Sequence, residues 1–430
     1  MKLLISLILV VTSFSIAAVK PVEKSIIDHV DAEMGNAKAL LEKVVNINSG
    51  TMNFPGVIAV GKHFFTELDA LGFHTKWIEG SEFGRAGHLF ASKGNKGIKI
   101  LLIGHLDTVF ASDSNFNRYE ALGNNKVKGP GITDMKGGDV VIIYALKALQ
   151  SAGVLKDLSV QIVMTGDEEK RGSPHSIANK VLIDAAKWAD VAIGFEDGDG
   201  DPKTGVVARR GAVGWTLDVK GKPAHSSQIF RDDIGYGAVL ETARILNSFR
   251  ETLSVIPNLT FNPGVIVGGT DVELDQGTAR GTAFGKSNVI ARSVKVSGGI
   301  RALSPEQLAS AKQSMHKIVA DNLSQTTATL SFSEGYPPMA PRESNYELLA
   351  LYNQISLDLG YGEVKAVDPR LAGAADISFA ANHVSMSIDG LGLMGDGGHT
   401  DNEIADMDTF AMQIKRAAVL MHRLSEQSKK

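Results

Sequence analysis

The sequence predicts an α/β protein: a mixed, mostly parallel sheet flanked by helices, with a ferredoxin-like βαββαβ domain inserted into it. Three observations predict it. Apolar runs at 99–104, 159–165 and 191–194 alternate with stretches of helical period, as strands buried on both faces of a largely parallel sheet do. Each run leads directly into a His or an acid, at the C-terminal strand ends where open α/β sheets place their ligands. From 211 to 334 the order changes to strand, helix, strand, strand, helix, strand, the split arrangement with two helices on one sheet face.

Taken in order, residues 1–18 have one Lys, a short apolar core and small residues before Val19, the pattern of a secretory signal peptide cut after Ala17 or Ala18. The expected location is secreted or periplasmic, free of the membrane after cleavage, because the apolar core is short for a bilayer span. Residues 19–210 form the first part of the main domain. Ile26, Ile27, Val30, Leu40, Leu41, Val44 and Val45 recur at helical spacing over 22–48, and Asn48-Ser-Gly50 stops the pattern. Phe54-Pro-Gly56 precedes a second helix carrying Val60, Phe64, Phe65, Leu68 and Leu71, closed by Gly72. Strands are expected at 74–79, 88–92 and 99–104, and a Gly-rich loop then opens a helix at 139–150 that is apolar nearly all round and so buried. Within 211–334 the elements are a strand at 214–220, a helix at 235–253, strands at 259–267 and 288–298, a helix at 305–323 and a strand at 328–333. Pro337, Pro338 and Pro341 mark the return to the main domain, 335–430. Helices at 346–359, 376–382 and 407–424, with strands near Val364 and at 385–389, complete it.

The composition, 43% hydrophobic and 21% charged over 430 residues, is that of a soluble globular chain of two domains. A net charge of −4 with no block of one sign gives no nucleic-acid or membrane-surface footprint. There is no Cys, which removes disulfides and thiolate ligands together. A transition-metal site must then use His, Asp and Glu, the set suited to catalytic zinc.

His105 and Asp107 stand two apart after the strand at 99–104, so their side chains face the same way. A carboxylate behind an imidazole fixes its tautomer and prepares a metal ligand. Asp134, Glu168, Glu169, Glu196 and His399 also lie at strand ends or in Gly-rich loops. Two His and three carboxylates suffice for two zinc ions if one carboxylate bridges: His105, Asp134 and Glu196 for one, Asp134, Glu169 and His399 for the other. A shared water completes four ligands each. Glu168 is left over. Neighbours in a turn diverge, so if Glu169 faces the metals Glu168 can face the water, as a general base should. Arg209 and Arg210 are expected to form a salt-bridge patch at the domain boundary.

The stretches Gly104-His-Leu-Asp-Thr-Val109, Gly129-Pro-Gly-Ile-Thr-Asp-Met-Lys-Gly-Gly138, Thr165-Gly-Asp-Glu-Glu-Lys170, Phe195-Glu196 and Gly398-His-Thr-Asp-Asn-Glu403 occur in this order through most of the chain. Together they resemble the dinuclear zinc family of glutamate carboxypeptidase, aminoacylase-1, acetylornithine deacetylase, succinyl-diaminopimelate desuccinylase and peptidase T. The resemblance implies the same ligand roles for His105, Asp134, Glu169, Glu196 and His399, with Asp107 orienting His105 and Glu168 as base. It implies two zinc ions per subunit, other divalent metals fitting the same donors. It also implies that His225, in Gly221-Lys-Pro-Ala-His-Ser-Ser227, is a lid histidine that hydrogen-bonds the substrate carbonyl, supplied by the partner subunit in dimeric members. Asn288 and Arg301 look like the groups that hold a substrate carboxylate. Two departures stand out: Gly299 replaces an acid common two positions before this Arg, and Leu371-Ala-Gly-Ala-Ala-Asp376 replaces the usual Gly-Gly-Thr-Asp or Gly-Gly-Ser-Asp. The implied activity is hydrolysis of the amide bond in short peptides or acyl-amino acids with a free C-terminal carboxylate. Within the family the alternatives are an aminoacylase or a dipeptidase. A non-catalytic ligand-binding relative is disfavoured, because Glu168 would have no role to keep it. Open sheet edges on the lid are compatible with a homodimer.

Overall fold

The computed structural model of the protein describes residues 20–275 and 279–427, so the expected signal peptide lies outside the described residues. Helices α1 (Pro21–Val45) and α2 (Phe54–Ala70) each take a Pro in the first turn, where its missing N–H costs no hydrogen bond. They lead into β1 (His74–Glu79), β2 (Gly87–Lys93) and β3 (Lys99–His105). A small hairpin, β4 (Glu120–Gly123) and β5 (Lys126–Lys128), precedes α3 (Gly137–Ser151) and β6 (Ser159–Thr165). Helices α4 (His175–Ala178) and α5 (Lys180–Trp188), then β7 (Val191–Gly194) and β8 (Thr204–Gly205), bring the chain to the insertion. The insertion runs β9 (Gly211–Gly221), α6 (Gly237–Leu253), β10 (Thr260–Gly269), β11 (Asp271–Asp275), β12 (Arg280–Phe284), β13 (Ser293–Ala302), α7 (Pro305–Ala320) and β14 (Thr326–Phe332). After it come α8 (Glu343–Asp358), β15 (Lys365–Ala366), α9 (Ile377–Ala381), β16 (Met386–Ile388), β17 (Gly395–Asp396), β18 (Ile404–Asp406) and α10 (Asp408–Gln427).

The central sheet has the order β1-β2-β6-β3-β7-β16. Strands β6, β3, β7 and β16 are mutually parallel, and β1 and β2 close one side in antiparallel pairing. Helices α1, α2, α3 and α10 cover one face, with Phe64, Ile142 and Ile414 in its core; α5 and α9 cover the other around Leu182, Phe379 and Ala380. Helix α3 buries twelve of its 15 residues, as its all-round apolar sequence requires. Among the described residues no helix is long and apolar enough to cross a membrane.

The inserted sheet has the order β10-β13-β9-β14 with every pairing antiparallel, the ferredoxin-like arrangement. Strand β9 alternates strictly, burying Val213, Trp215, Leu217 and Val219 in a core shared with Ile245 and Phe249 of α6 and Met315 of α7. Each such side chain contributes on the order of 1.5–3 kcal/mol through the area it removes from water. Strand β13 starts at Ser293, later than the sequence pattern suggested, because the segment before it pairs with the turn at 224–226 instead: Ser226 N donates to Asn288 O at 2.9 Å and Ile290 N to Ala224 O at 2.9 Å. The β11–β12 hairpin is an addition that the sequence pattern did not reveal.

Both passages of the chain into this domain run side by side as a two-stranded ribbon. Arg209 and Met339 exchange two backbone hydrogen bonds of 3.0 Å, and so do Ala212 and Tyr336. Between them a Cβ on Gly211 would lie 2.7 Å from Pro338 N, so the close approach requires glycine. The ribbon rises from the α5/α9 face, since Tyr336 and Met339 pack in that core.

Candidate metal centre and active site

Strand β3 ends on His105, fully buried at the C-terminal edge of the central sheet. Its Nε2 lies 3.0 Å from Asp134 Oδ1 and 3.5 Å from Glu196 Oε1. On the other side, His399 Nε2 lies 2.9 Å from Asp134 Oδ2 and 3.3 Å from Glu169 Oε2. Asp134 therefore offers one oxygen to each imidazole. The donor atoms form two groups, His105 with Asp134 and Glu196, and Asp134 with Glu169 and His399, each within 4.8 Å. These are the two ligand sets read from the sequence, with the same carboxylate between them. Glu169 Oε1 is buried with no hydrogen-bond partner, and the donors are all nitrogen and oxygen, so the residues fit a pair of divalent cations.

These groups perturb one another strongly. Burial opposes the charged ring of His105, but the Glu196, Asp107 and Asp134 carboxylates overcome it and raise His105 well above its ordinary value. Burial also works to raise Asp134, yet hydrogen bonds from His105 and His399 hold its carboxyl well below the carboxylate range. Burial, then the charge on Asp134, pushes Glu169 up to about 10, and burial raises Glu196 in the same direction. Buried carboxylates facing one another across two imidazoles are a setting in which divalent cations balance the charge.

The supports come from distant parts of the chain. His105 Nδ1 lies 3.0 Å from the Asp107 carbonyl oxygen and 3.5 Å from its carboxylate. The buried Asp107 carboxylate also accepts from Thr51 Oγ1 at 2.6 Å, Glu168 N at 3.0 Å and Glu169 N at 3.1 Å. It thus orients His105 partly through its backbone, and its side chain fixes the turn carrying Glu168 and Glu169. Glu403, which the sequence reading quoted but gave no role, holds the Asp134 loop. Its oxygens accept from Gly131 N at 2.8 Å, Thr133 N at 2.9 Å and Asp134 N at 3.1 Å. Asp389, also unforeseen, accepts from Glu196 N at 3.2 Å and pairs with Arg209 Nε at 2.9 Å. Arg209 is therefore a buried boundary ion pair, whereas Arg210 bonds Thr260 Oγ1 at 3.0 Å.

Glu168 belongs to neither ligand group. Its backbone is held from both sides, its N–H by Asp107 and its carbonyl by the Tyr336 hydroxyl at 2.6 Å. Tyr336 accepts in turn from Arg171 at 2.8 Å, and Arg171 pairs with Asp167 and Asp376. Asp376, at the end of the divergent 371–376 stretch, is thus a buried anchor of the network that holds the Glu168 backbone. Burial pushes the Glu168 carboxyl up to about 8, against the pull of His105.

The lid residues are placed differently. His225 and Asn288 are exposed and adjacent, joined by the backbone bridge of His225 to Val289, with the His225 ring bonded to Ser227 Oγ at 2.7 Å. Arg301 pairs with Ala212 at the hinge end of the same sheet. The extended stretch of β9 from Ala212 to Gly221 separates them by roughly 30 Å at about 3.3 Å per residue. Within one chain, then, Asn288 and Arg301 do not grip one carboxylate together. The strand between them is fully extended.

The sequence profile of Peptidase family M20/M25/M40 matches residues 101–424. Carboxypeptidase G2 of Pseudomonas sp. (strain RS-16) is 26% identical over 389 residues, covering 89% of this chain and 87% of that one. A putative succinyl-diaminopimelate desuccinylase of Mycobacterium tuberculosis is 25% identical over 321 residues, 70% of this chain and 83% of that one. Among solved structures, aminopeptidase PepT from Bacillus cereus ATCC 10987 superposes with a TM-score of 0.68 at 16% identity, covering 93% of this chain and 98% of that one. The YXEP protein of Bacillus subtilis, described as a dinuclear metal binding peptidase, superposes with a TM-score of 0.63 at 12% identity, covering 92% and 99%. At these identities the two structures bear on the fold.

Proposed function

Because the chain belongs to peptidase family M20/M25/M40, we propose that it is an exported, zinc-dependent hydrolase of short peptides or acyl-amino acids with a free C-terminal carboxylate. One observation carries the reading: Asp134 is shared by two ligand groups, and Glu168 stands beside them in neither. His105, Asp134 and Glu196 would hold one zinc and Asp134, Glu169 and His399 the other. When bound, such a pair supplies an acidified water and polarises a carbonyl. The chain's own residues do the rest. Glu168 takes the proton of the attacking water and passes it to the leaving amide nitrogen, the task of a carboxylate that stands beside both ligand groups and belongs to neither. Arg301 meets the substrate carboxylate with a planar pair of donors. His225 and Asn288, grouped at the far end of the lid, serve the partner's site in a homodimer. The leader read from residues 1–18 supports export, and export favours nutrient scavenging.

The test is a chelated and zinc-reconstituted protein assayed on N-acyl amino acids and dipeptides, each with a free or amidated C-terminus. Zinc at two per chain should restore hydrolysis, with free carboxylates preferred by on the order of 10²-fold, the usual effect of losing a charged partner. The acyl and dipeptide arms separate aminoacylase from dipeptidase action. A protein that binds two zinc ions and hydrolyses none of these overturns the proposal.

A further inference from the structure

We propose that the groove beside Glu169, between the turn at 50–53 and the loop at 108–112, is the subsite for the acyl side of the substrate and takes an uncharged apolar group. This rests on the reading of the metal centre as an amide hydrolase. The argument begins with the two faces of the central sheet. The hinge ribbon rises from the α5/α9 face, and Arg301 lies at the hinge end of the lid. One wall of the groove is the loop joining α1 to α2, the helices that cover the opposite face. A substrate with its carboxylate toward Arg301 and its scissile carbonyl at the metal centre therefore directs its other end away from the hinge, into this groove.

The groove encloses about 350 Å³, toward the small end for ligand pockets, and Glu169 of the metal centre forms part of its wall. Met52 on one side and Val109 on the other leave 56% and 40% of their surfaces exposed. Two large apolar side chains facing water across a cleft that ends at a catalytic ligand gain by covering one another with an apolar guest. The ionisable residues lining it, among the described residues, are Glu169, which the metals engage, and Lys170, which is exposed. A charged acyl group would find no buried counterion there.

The groove is also preformed. Thr51 N donates to Thr108 O at 3.1 Å, Thr108 N to Ser49 O at 3.0 Å, and the Asn48 amide to Phe110 O and Ala111 O at 3.2 and 3.0 Å. A Cβ on Gly50 would lie 2.1 Å from Phe110 O, so only glycine allows the two walls to come this close. Little ordering remains to oppose binding.

The test compares kcat/KM of the zinc-loaded protein for N-hexanoyl and N-succinyl derivatives of one amino acid, with the N-acetyl derivative measured alongside. The wild type should favour hexanoyl over succinyl by at least about tenfold, and Met52→Asp and Val109→Asp should each lower the hexanoyl-to-acetyl ratio by about tenfold. Val255→Asp, at an apolar lid position with 76% exposure, should leave the ratio where it is. A ratio unmoved by both groove variants, or moved as far by Val255→Asp, overturns the subsite while hydrolysis of the acetyl compound upholds the functional reading. No turnover of any of the three with two zinc ions bound overturns the subsite, and a lack of turnover of dipeptides as well overturns both.

Discussion

Replacing Glu403 with Gln keeps the side chain's shape and removes its charge. The carboxylate is fully buried, and its four hydrogen-bond partners, Gly131 N, Thr133 N, Asp134 N and Thr133 Oγ1, all donate to it. A Gln amide can serve one side through its oxygen but must turn its NH₂ toward the other, which leaves at least one buried N–H without an acceptor. That loss costs about 1–3 kcal/mol, and the surviving bonds lose their charge assistance at roughly 0.5–1 kcal/mol each, for a total of about 3–5 kcal/mol. The cost falls on the loop that holds Asp134, the carboxylate both imidazoles face. Metal affinity should therefore fall about 10- to 100-fold, as when other supports of metal ligands are removed. Urea unfolding and competition with a chelator measure the two effects. A Glu403→Gln protein within about 0.5 kcal/mol of wild type and with unchanged metal affinity would refute the role given to this carboxylate, since that is the scale of an ordinary surface change.

Tyr336→Phe should lower kcat about tenfold with KM and metal content held, because the lost hydroxyl frees the Glu168 carbonyl from the hinge ribbon. Phe379→Leu, which loosens the same aromatic contact of 5.0 Å without touching that carbonyl, should lower it far less; equal losses would make Tyr336 merely a packing residue. Removing the metals should make stability fall as pH rises from about 5 to about 9. The folded chain then keeps protons on Glu168, raised to about 8, and Glu169, raised to about 10, that the unfolded chain releases near its ordinary carboxyl value. Thermal unfolding with and without chelator checks this, and a Tm that climbs over that range without metal contradicts it. His225→Ala should reduce kcat by on the order of 10²-fold while leaving metal content intact, and mixing it with an inactive Glu168 variant should restore activity through mixed dimers. Absent restoration, His225 does not act across subunits.

Much of the main domain was legible because its central strands are buried on both faces. Strands β6 and β7 span the residues their largely apolar runs marked, and β3 extends the run at 99–104 by one residue to His105. The two- to four-residue strands β4, β5, β17 and β18 are shorter than any window in which alternation shows. In β11, Val272 and Leu274 do alternate, but Asp271, Glu273 and Asp275 around them leave the stretch too polar to mark a strand. The five candidate ligands and the neighbouring Glu168 could be singled out because metal chemistry admits few residue types and the fold puts them at strand ends. Their supports could not. Nothing near Tyr336 marks it as the partner of a carbonyl 168 residues away, and a buried Glu such as Glu403 looks in sequence like any surface acid. Asn288 and Arg301 show a different limit: thirteen positions apart in sequence, they are held at opposite ends of a sheet by one extended strand.

The measurement that bears most directly on the centre is the turnover of Glu168→Gln with its metals counted. The protein should retain two bound metals and wild-type folding while kcat for a substrate the wild type hydrolyses falls by about 10²- to 10⁴-fold, the range for removing a general base. Turnover within about threefold of wild type would remove Glu168 from proton transfer, since a base contributes far more than that. Loss of a metal would place Glu168 among the ligands instead.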